Sequence, residues 1–133
     1  MSTRSLLPGV ASGSALVLDE PISMWGGLDP GTGVIIDARH PQLGEVVTGR
    51  VLVMPGGRGS SSSSSVLAEA IRLGTSPAAI VLSTPDDIVL IGAIVAEELY
   101  GITCPVVVVD RTLFDRLKTG MELEVTESGV FGI

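Results

Sequence analysis

The sequence predicts an α/β fold, a compact β/β/α domain over residues 1–133. Three observations carry that expectation. The second half alternates strand and helix patterns in a βαβαβ order. Residues 106–109 are Val-Val-Val-Val, the unbroken apolar run of a strand buried on both faces. The first half is a set of short apolar stretches punctuated by Gly and Pro, which reads as strands and turns.

Taken in order, residues 15–18 read as a strand. Trp25-Gly26-Gly27 and Asp29-Pro30-Gly31-Thr32-Gly33 are turn sequences. Residues 34–37 form a short strand ending before the Arg39-His40-Pro41 loop. Residues 46–54 form a longer β-branched strand, bent at Gly49. Residues 66–73 are a helix closed by Gly74 at its C′ position. Residues 78–82 are a strand. Asp86 and Asp87 open a second helix, placing acidic residues at its positive end. Its apolar positions are Ile88, Ile91, Ile94, Val95 and Leu99, and Gly101 ends it. After the 106–109 strand, residues 112–117 give a short helix and residues 121–125 an alternating strand.

Composition narrows the function classes. Hydrophobic residues make up 45% and mean hydropathy is +0.54, which excludes intrinsic disorder. Aromatics are only 3%, too few for a base-stacking platform. A net charge of −7 has the wrong sign for a phosphate-backbone binder, so no nucleic-acid partner is expected. One Cys excludes an internal disulfide and a Cys-based zinc site. The longest apolar run, residues 88–96, is about half of the ~20 residues a bilayer span needs. Pro8 and Gly9 break any signal-peptide core after Leu6-Leu7. The expectation is a cytoplasmic chain without a membrane partner, its excess aliphatic surface hidden against another protein.

The most informative stretch is residues 51–66, Val-Leu-Val-Met-Pro-Gly-Gly-Arg-Gly, then six serines and Val66. A buried strand runs into a glycine loop and then a helix, an arrangement that aims free backbone N–H groups at one spot. Serine is a favoured N-cap and adds hydroxyls. Arg58 adds a charged fork suited to a carboxylate. The chemistry is that of an anion site. Gly59 stands where a P-loop needs Lys, and Ser62 stands where the dinucleotide pattern needs Gly. A flexible Ser-rich linker is the alternative, but linkers do not usually join a buried strand to an amphipathic helix. A serine here could also be a base, because the amides, the helix terminus and Arg58 would all stabilise its alkoxide.

With these residues in order, the chain resembles the small subunit of the aconitase X group, the swivelling domain of an aconitase-like hydro-lyase. The landmarks are Pro21-Ile22-Ser23-Met24-Trp25-Gly26-Gly27, Asp29-Pro30-Gly31-Thr32-Gly33 with the following 34–37 stretch, and His40-Pro41. Gly57-Arg58-Gly59-Ser60-Ser61 and Ser76-Pro77-Ala78-Ala79-Ile80-Val81 complete the set. The resemblance implies the compact β/β/α fold of aconitase domain 4. It implies Ser60 as the catalytic base, with Arg58, Gly59, Ser61 and Ser62 binding a small carboxylate substrate. It also implies an iron or iron–sulfur centre on a large aconitase X subunit, with no cofactor in this chain. The single Cys and single His are too few to hold a metal here. In aconitase proper an arginine follows the serine pair, and here that place is Ser62, which argues for a smaller substrate than a tricarboxylate. The group includes dehydratases of cis-3-hydroxy-L-proline and of mevalonate 5-phosphate. Arg58 and the serine run look more like the hydroxyproline form.

Asp29, Thr32 and His40 are further candidates for lining the cleft, beside their ordinary reading as turn builders. Trp25 reads as a packing or subunit-interface residue, and Cys104 as a small core residue. Two rivals remain. One is a mobile phosphohistidine domain, suggested by Ala78-Ala79-Ile80-Val81 but lacking a His beside that phrase. The other is a non-catalytic anion-binding module.

Overall fold

Aliphatic runs separated by glycine turns set the order of elements. The structure is a computed structural model that describes residues 3–132. In chain order these begin with strands β1 (Thr3–Leu7) and β2 (Ala11–Val17) and a single turn, α1 (Met24–Gly27). Two short strands, β3 (Leu28–Asp29) and β4 (Val34–Ile35), form a hairpin. Then come β5 (Val51–Met54), α2 (Ser62–Leu73), β6 (Ala79–Leu82), α3 (Asp87–Tyr100) and β7 (Val106–Val109). The short helix α4 (Arg111–Arg116) leads to the hairpin of β8 (Glu122–Thr126) and β9 (Gly129–Gly132).

The main sheet has seven strands in the order β1-β7-β6-β5-β2-β8-β9. Strands β2, β5, β6 and β7 run parallel, and β1, β8 and β9 are added antiparallel. The two edge strands, β1 and β9, approach each other, so the sheet nearly closes. Strand alternation then makes two cores. Leu52, Met54, Ile80 and Leu82 meet Leu67 and Ile71 of α2 and Val89 of α3 on the helical side. Val51, Val53, Val81, Val107 and Val109 turn the other way, towards Phe114, Leu123 and Val125. Every position of β5 and β6 is buried, as strands covered on both faces require.

The α/β expectation holds, and the structure corrects its details. Strands β1, β3 and β9 are additions: each is short, and its pairing rather than an alternating pattern specifies it. The expected 46–54 strand is only Val51–Met54. Gly49, at φ 71°, turns the chain, and Val46 makes an isolated bridge to Val34. Helix α2 begins at Ser62, four residues ahead of the expected start, so most of the serine run is helix.

The largest correction is the face of α3. Of the residues that follow helical spacing, Ile91, Ile94, Val95 and Leu99 are exposed and Ile88 is half-buried. The buried face is Val89, Gly92, Ala93 and Ala96. Small residues serve there because the helices touch closely: a Cβ on Gly92 would lie 2.8 Å from the Ser64 carbonyl oxygen and 3.2 Å from Leu67. Helix α3 thus spends its small residues on α2 and turns an apolar stripe outward.

Candidate active site

The parallel strands β5 and β6 both end at one edge of the sheet, where open α/β sheets place their ligands. The connection after β5 crosses this edge under several constraints. The Pro55 carbonyl accepts from the Thr84 amide at 3.0 Å and from the Ser83 hydroxyl at 3.0 Å. The Gly57 amide donates to Asp86 Oδ2 at 2.8 Å, while Asp86 Oδ1 caps α3 by accepting from the Val89 amide at 2.9 Å. One carboxylate therefore fixes the loop and starts a helix. On the other flank, Gly57 bridges to Ile22, whose carbonyl accepts from the Arg58 amide at 3.3 Å. Gly59 has φ 104°, a region that favours glycine, and a Cβ there would run into the Ser23 hydroxyl.

Beyond Gly59 the chain is accessible. Ser60, Ser61 and Ser62 are exposed. Among the described residues, their amides and hydroxyls find no acceptor or donor within the chain. The serines do not cap α2 by side chain: Ser61, at the N-cap, has helical backbone angles and makes no such bond. The first turn tightens instead, with Ser63 and Ser64 amides donating to the Ser60 and Ser61 carbonyls at 3.0 and 3.1 Å. Three hydroxyls and three amides are thus left at the positive end of a twelve-residue helix. Arg58 stands beside them, its Nη2 3.3 Å from Glu20 Oε1 with both side chains about half exposed. An ion pair in water contributes about 0.2–1 kcal/mol, so it yields readily to a competing carboxylate.

The structure brings together Arg58, Gly59, Ser60, Ser61 and Ser62 and separates them from Asp29 and Thr32. Asp29 accepts from the Gly31 amide and the Thr32 hydroxyl, each at 2.9 Å, which builds the turn before β4. That turn is held by Thr75, whose hydroxyl donates to the Pro30 carbonyl at 2.6 Å. Thr75 follows the far end of α2, roughly 18 Å of helix away from the loop. His40 is 5% exposed. Its Nδ1 accepts from the Gln42 amide at 3.0 Å, so Nε2 carries the proton and donates to the Glu20 carbonyl at 3.0 Å. Neither nitrogen is left for a substrate or a phosphoryl group. The hydrogen bonds of all three are those of turn builders: Asp29 and Thr32 lie away from the serine loop, and His40 reaches it only through the Glu20 backbone. Ser23, Ser63, Asp86 and Glu20 are the neighbours that sequence reasoning did not assign to the site. Only the Pro21–Gly27 landmark pointed near them.

No group of three or more His, Cys, Asp or Glu able to hold a metal is found among the described residues. Cys104 lies 2% exposed in the helical-side core, and burial pushes its thiol up to about 12. A thiol kept neutral and covered is a poor nucleophile. At pH 8 the native chain should therefore leave a thiol reagent unconsumed, and unfolding in denaturant should release one reactive thiol. Rapid native labelling would contradict the buried position.

The fold finds its counterpart among known proteins. A family model described as the aconitase X swivel domain matches residues 1–133. The chain belongs to this family. The swivel domain also superposes on the crystal structure of aconitase X (holo-form) from Thermococcus kodakaraensis, with TM-score 0.87 and 30% identity over 100% of this chain and 99% of that one. Cis-3-hydroxy-L-proline dehydratase of Pseudomonas aeruginosa is 50% identical over 103 residues, 77% of this chain. The swivel domain spans 18% of that relative's length. The phosphomevalonate dehydratase small subunit of Methanothermobacter thermautotrophicus is 41% identical over 125 residues, covering 92% of this chain and 89% of that one. No helix among the described residues is long and apolar enough to cross a membrane.

Proposed function

We propose that this swivel domain is the small subunit of a hydro-lyase that dehydrates cis-3-hydroxy-L-proline to pyrroline-2-carboxylate. Residues 1–133 act as one domain, in the cytoplasm, on a large aconitase X subunit. Ser60 is the base that removes the proton beside the carboxylate. The Ser61 and Ser62 amides and hydroxyls, the Gly59 backbone and Arg58 receive that carboxylate, and Glu20 releases Arg58 to it. An iron or iron–sulfur centre on the large subunit would supply the Lewis acid for the departing hydroxyl. This chain's single histidine and single cysteine are buried and engaged elsewhere.

The observation that carries the reading is the exposed Ser60–Ser62 segment, its amides and hydroxyls unpartnered among the described residues, beside Arg58 at a helix N-terminus. It supplies an oxyanion-stabilising environment for a serine alkoxide, which is otherwise too strong a base to form. Support for a large partner comes from relatives that are named small subunits and from one that carries the equivalent stretch in a much longer chain. The higher identity to the hydroxyproline enzyme favours that substrate. Mevalonate 5-phosphate is the second reading, kept because the match to the Methanothermobacter small subunit extends over more of the chain.

The deciding experiment co-expresses the chain with a large aconitase X subunit and assays both substrates on the purified complex. The expected result is a kcat/KM for cis-3-hydroxy-L-proline at least about 10²-fold above that for mevalonate 5-phosphate. The reverse preference would replace the first reading by the second. An assembled complex that dehydrates neither would remove the hydro-lyase assignment in favour of a binding module.

A further inference from the structure

Beneath the exposed serines lies a closed circuit of hydrogen bonds that joins them to the Ser23–Trp25 segment. The Ser23 hydroxyl donates to the Trp25 carbonyl at 3.0 Å. The Trp25 amide donates to Ser63 Oγ at 3.1 Å. Ser23 and Ser63 hydroxyls are 3.1 Å apart, and Ser23 has already spent its one proton, so Ser63 is the donor between them. Each donor is used once and the direction runs around the ring without conflict. Ser63 is 3% exposed, so a broken ring leaves a polar group covered from water.

The ring touches the reacting loop at two points. The Ser63 amide donates to the Ser60 carbonyl at 3.0 Å. Ser23 occupies the space a side chain at Gly59 would need. Ser60 is thereby flanked on both sides: its carbonyl accepts from the Ser63 amide, and Ser23 lies close against Gly59 before it. Its hydroxyl stays free while its backbone does not.

We propose that Ser63 and Ser23 are positioning residues for Ser60, acting as one unit through this ring. The proposal rests on the reading of Ser60 as the base. Neither serine touches substrate, so their effect falls on the geometry of proton removal and not on binding.

The test uses the assembled complex with cis-3-hydroxy-L-proline and the variants Ser63→Ala, Ser23→Ala and the double variant. Ser65→Ala, at an exposed serine of the same run with no part in the ring, serves as the control. Each single change should lower kcat on the order of 10²-fold with KM held within about twofold. The double variant should fall no further than the worse single, because either change alone opens the ring. Ser65→Ala should match the wild type. In the uncomplexed chain, hydrogen exchange of the Trp25 amide should quicken in both single variants. Losses that multiply in the double variant, or a Trp25 amide that exchanges as before, overturn the proposal. Wild-type kcat in Ser63→Ala and Ser23→Ala beside an inactive Ser60→Ala overturns it and leaves the base reading standing. Wild-type turnover in Ser60→Ala overturns both. Ser23 lies outside α2 and keeps the test decisive if Ser63→Ala weakens that helix.

Discussion

Replacing Ser60 with alanine in the assembled complex is expected to lower kcat by about 10²–10⁴-fold, the contribution of a positioned acid–base group. The loop itself should survive the change. Ser60 holds its place through backbone contacts, its hydroxyl has no partner within the chain, and its side chain is exposed. Assembly, thermal stability and the metal content of the complex should therefore stay at wild-type levels, and KM should move little. This separation matters, because a loss of turnover accompanied by a loss of assembly would point to a docking role instead. Turnover within about threefold of wild type would end the assignment of Ser60 as the base.

Asp86→Ala should have the largest effect on the fold around the site. Its carboxylate accepts from the Val89 amide and from the Gly57 amide at once. Losing a side-chain cap costs about 1 kcal/mol. Leaving the partly buried Gly57 amide without an acceptor adds about 1–3 kcal/mol. The sum, about 2–4 kcal/mol, should appear in urea unfolding of the chain alone as a lower midpoint with an unchanged slope. Turnover of the complex should fall on the order of tenfold or more, because the loop is released on the side facing α3. Asp86→Asn keeps one carbonyl oxygen and should lie between the two. Wild-type stability in Asp86→Ala would show that the loop does not depend on this carboxylate.

Much of this was legible in the residues, and the gaps have physical causes. Strands β6 and β7 read clearly because burial on both faces removes alternation. Asp86 and Gly101 marked the ends of α3 because capping chemistry is local. The face of that helix was not legible. Apolar spacing at 3.6 residues reports a stripe, not which side of it meets the rest of the chain, and in α3 the core side is made of Gly and Ala. The serine run hid the start of α2, since Ser disfavours helix interiors and reads as loop. At the site, the loop and its exposed hydroxyls followed from strand, glycine and helix in sequence. The bonds that tie Asp86 to Gly57, and Ser63 to Trp25 and Ser23, join residues 29 to 40 positions apart and have no sequence signature. His40 illustrates the converse: a lone histidine invites a chemical role, and that both its nitrogens are taken up in the turn has no sequence signature.

The position of β2 bears on how the chain comes to be folded at all. This strand lies between β5 and β8, and its partner on one side is the register that sets Ala11 opposite Val125. A ribosome delivers residue 11 long before residue 125. During that interval the emerging chain can pair β2 with β5 and lay down the helices, but the flank awaiting β8 stays open. Contacts this distant along the chain slow folding and lengthen the exposure of unpaired strand edges. The sheet can therefore close only once residues 122–126 are available to pair with β2.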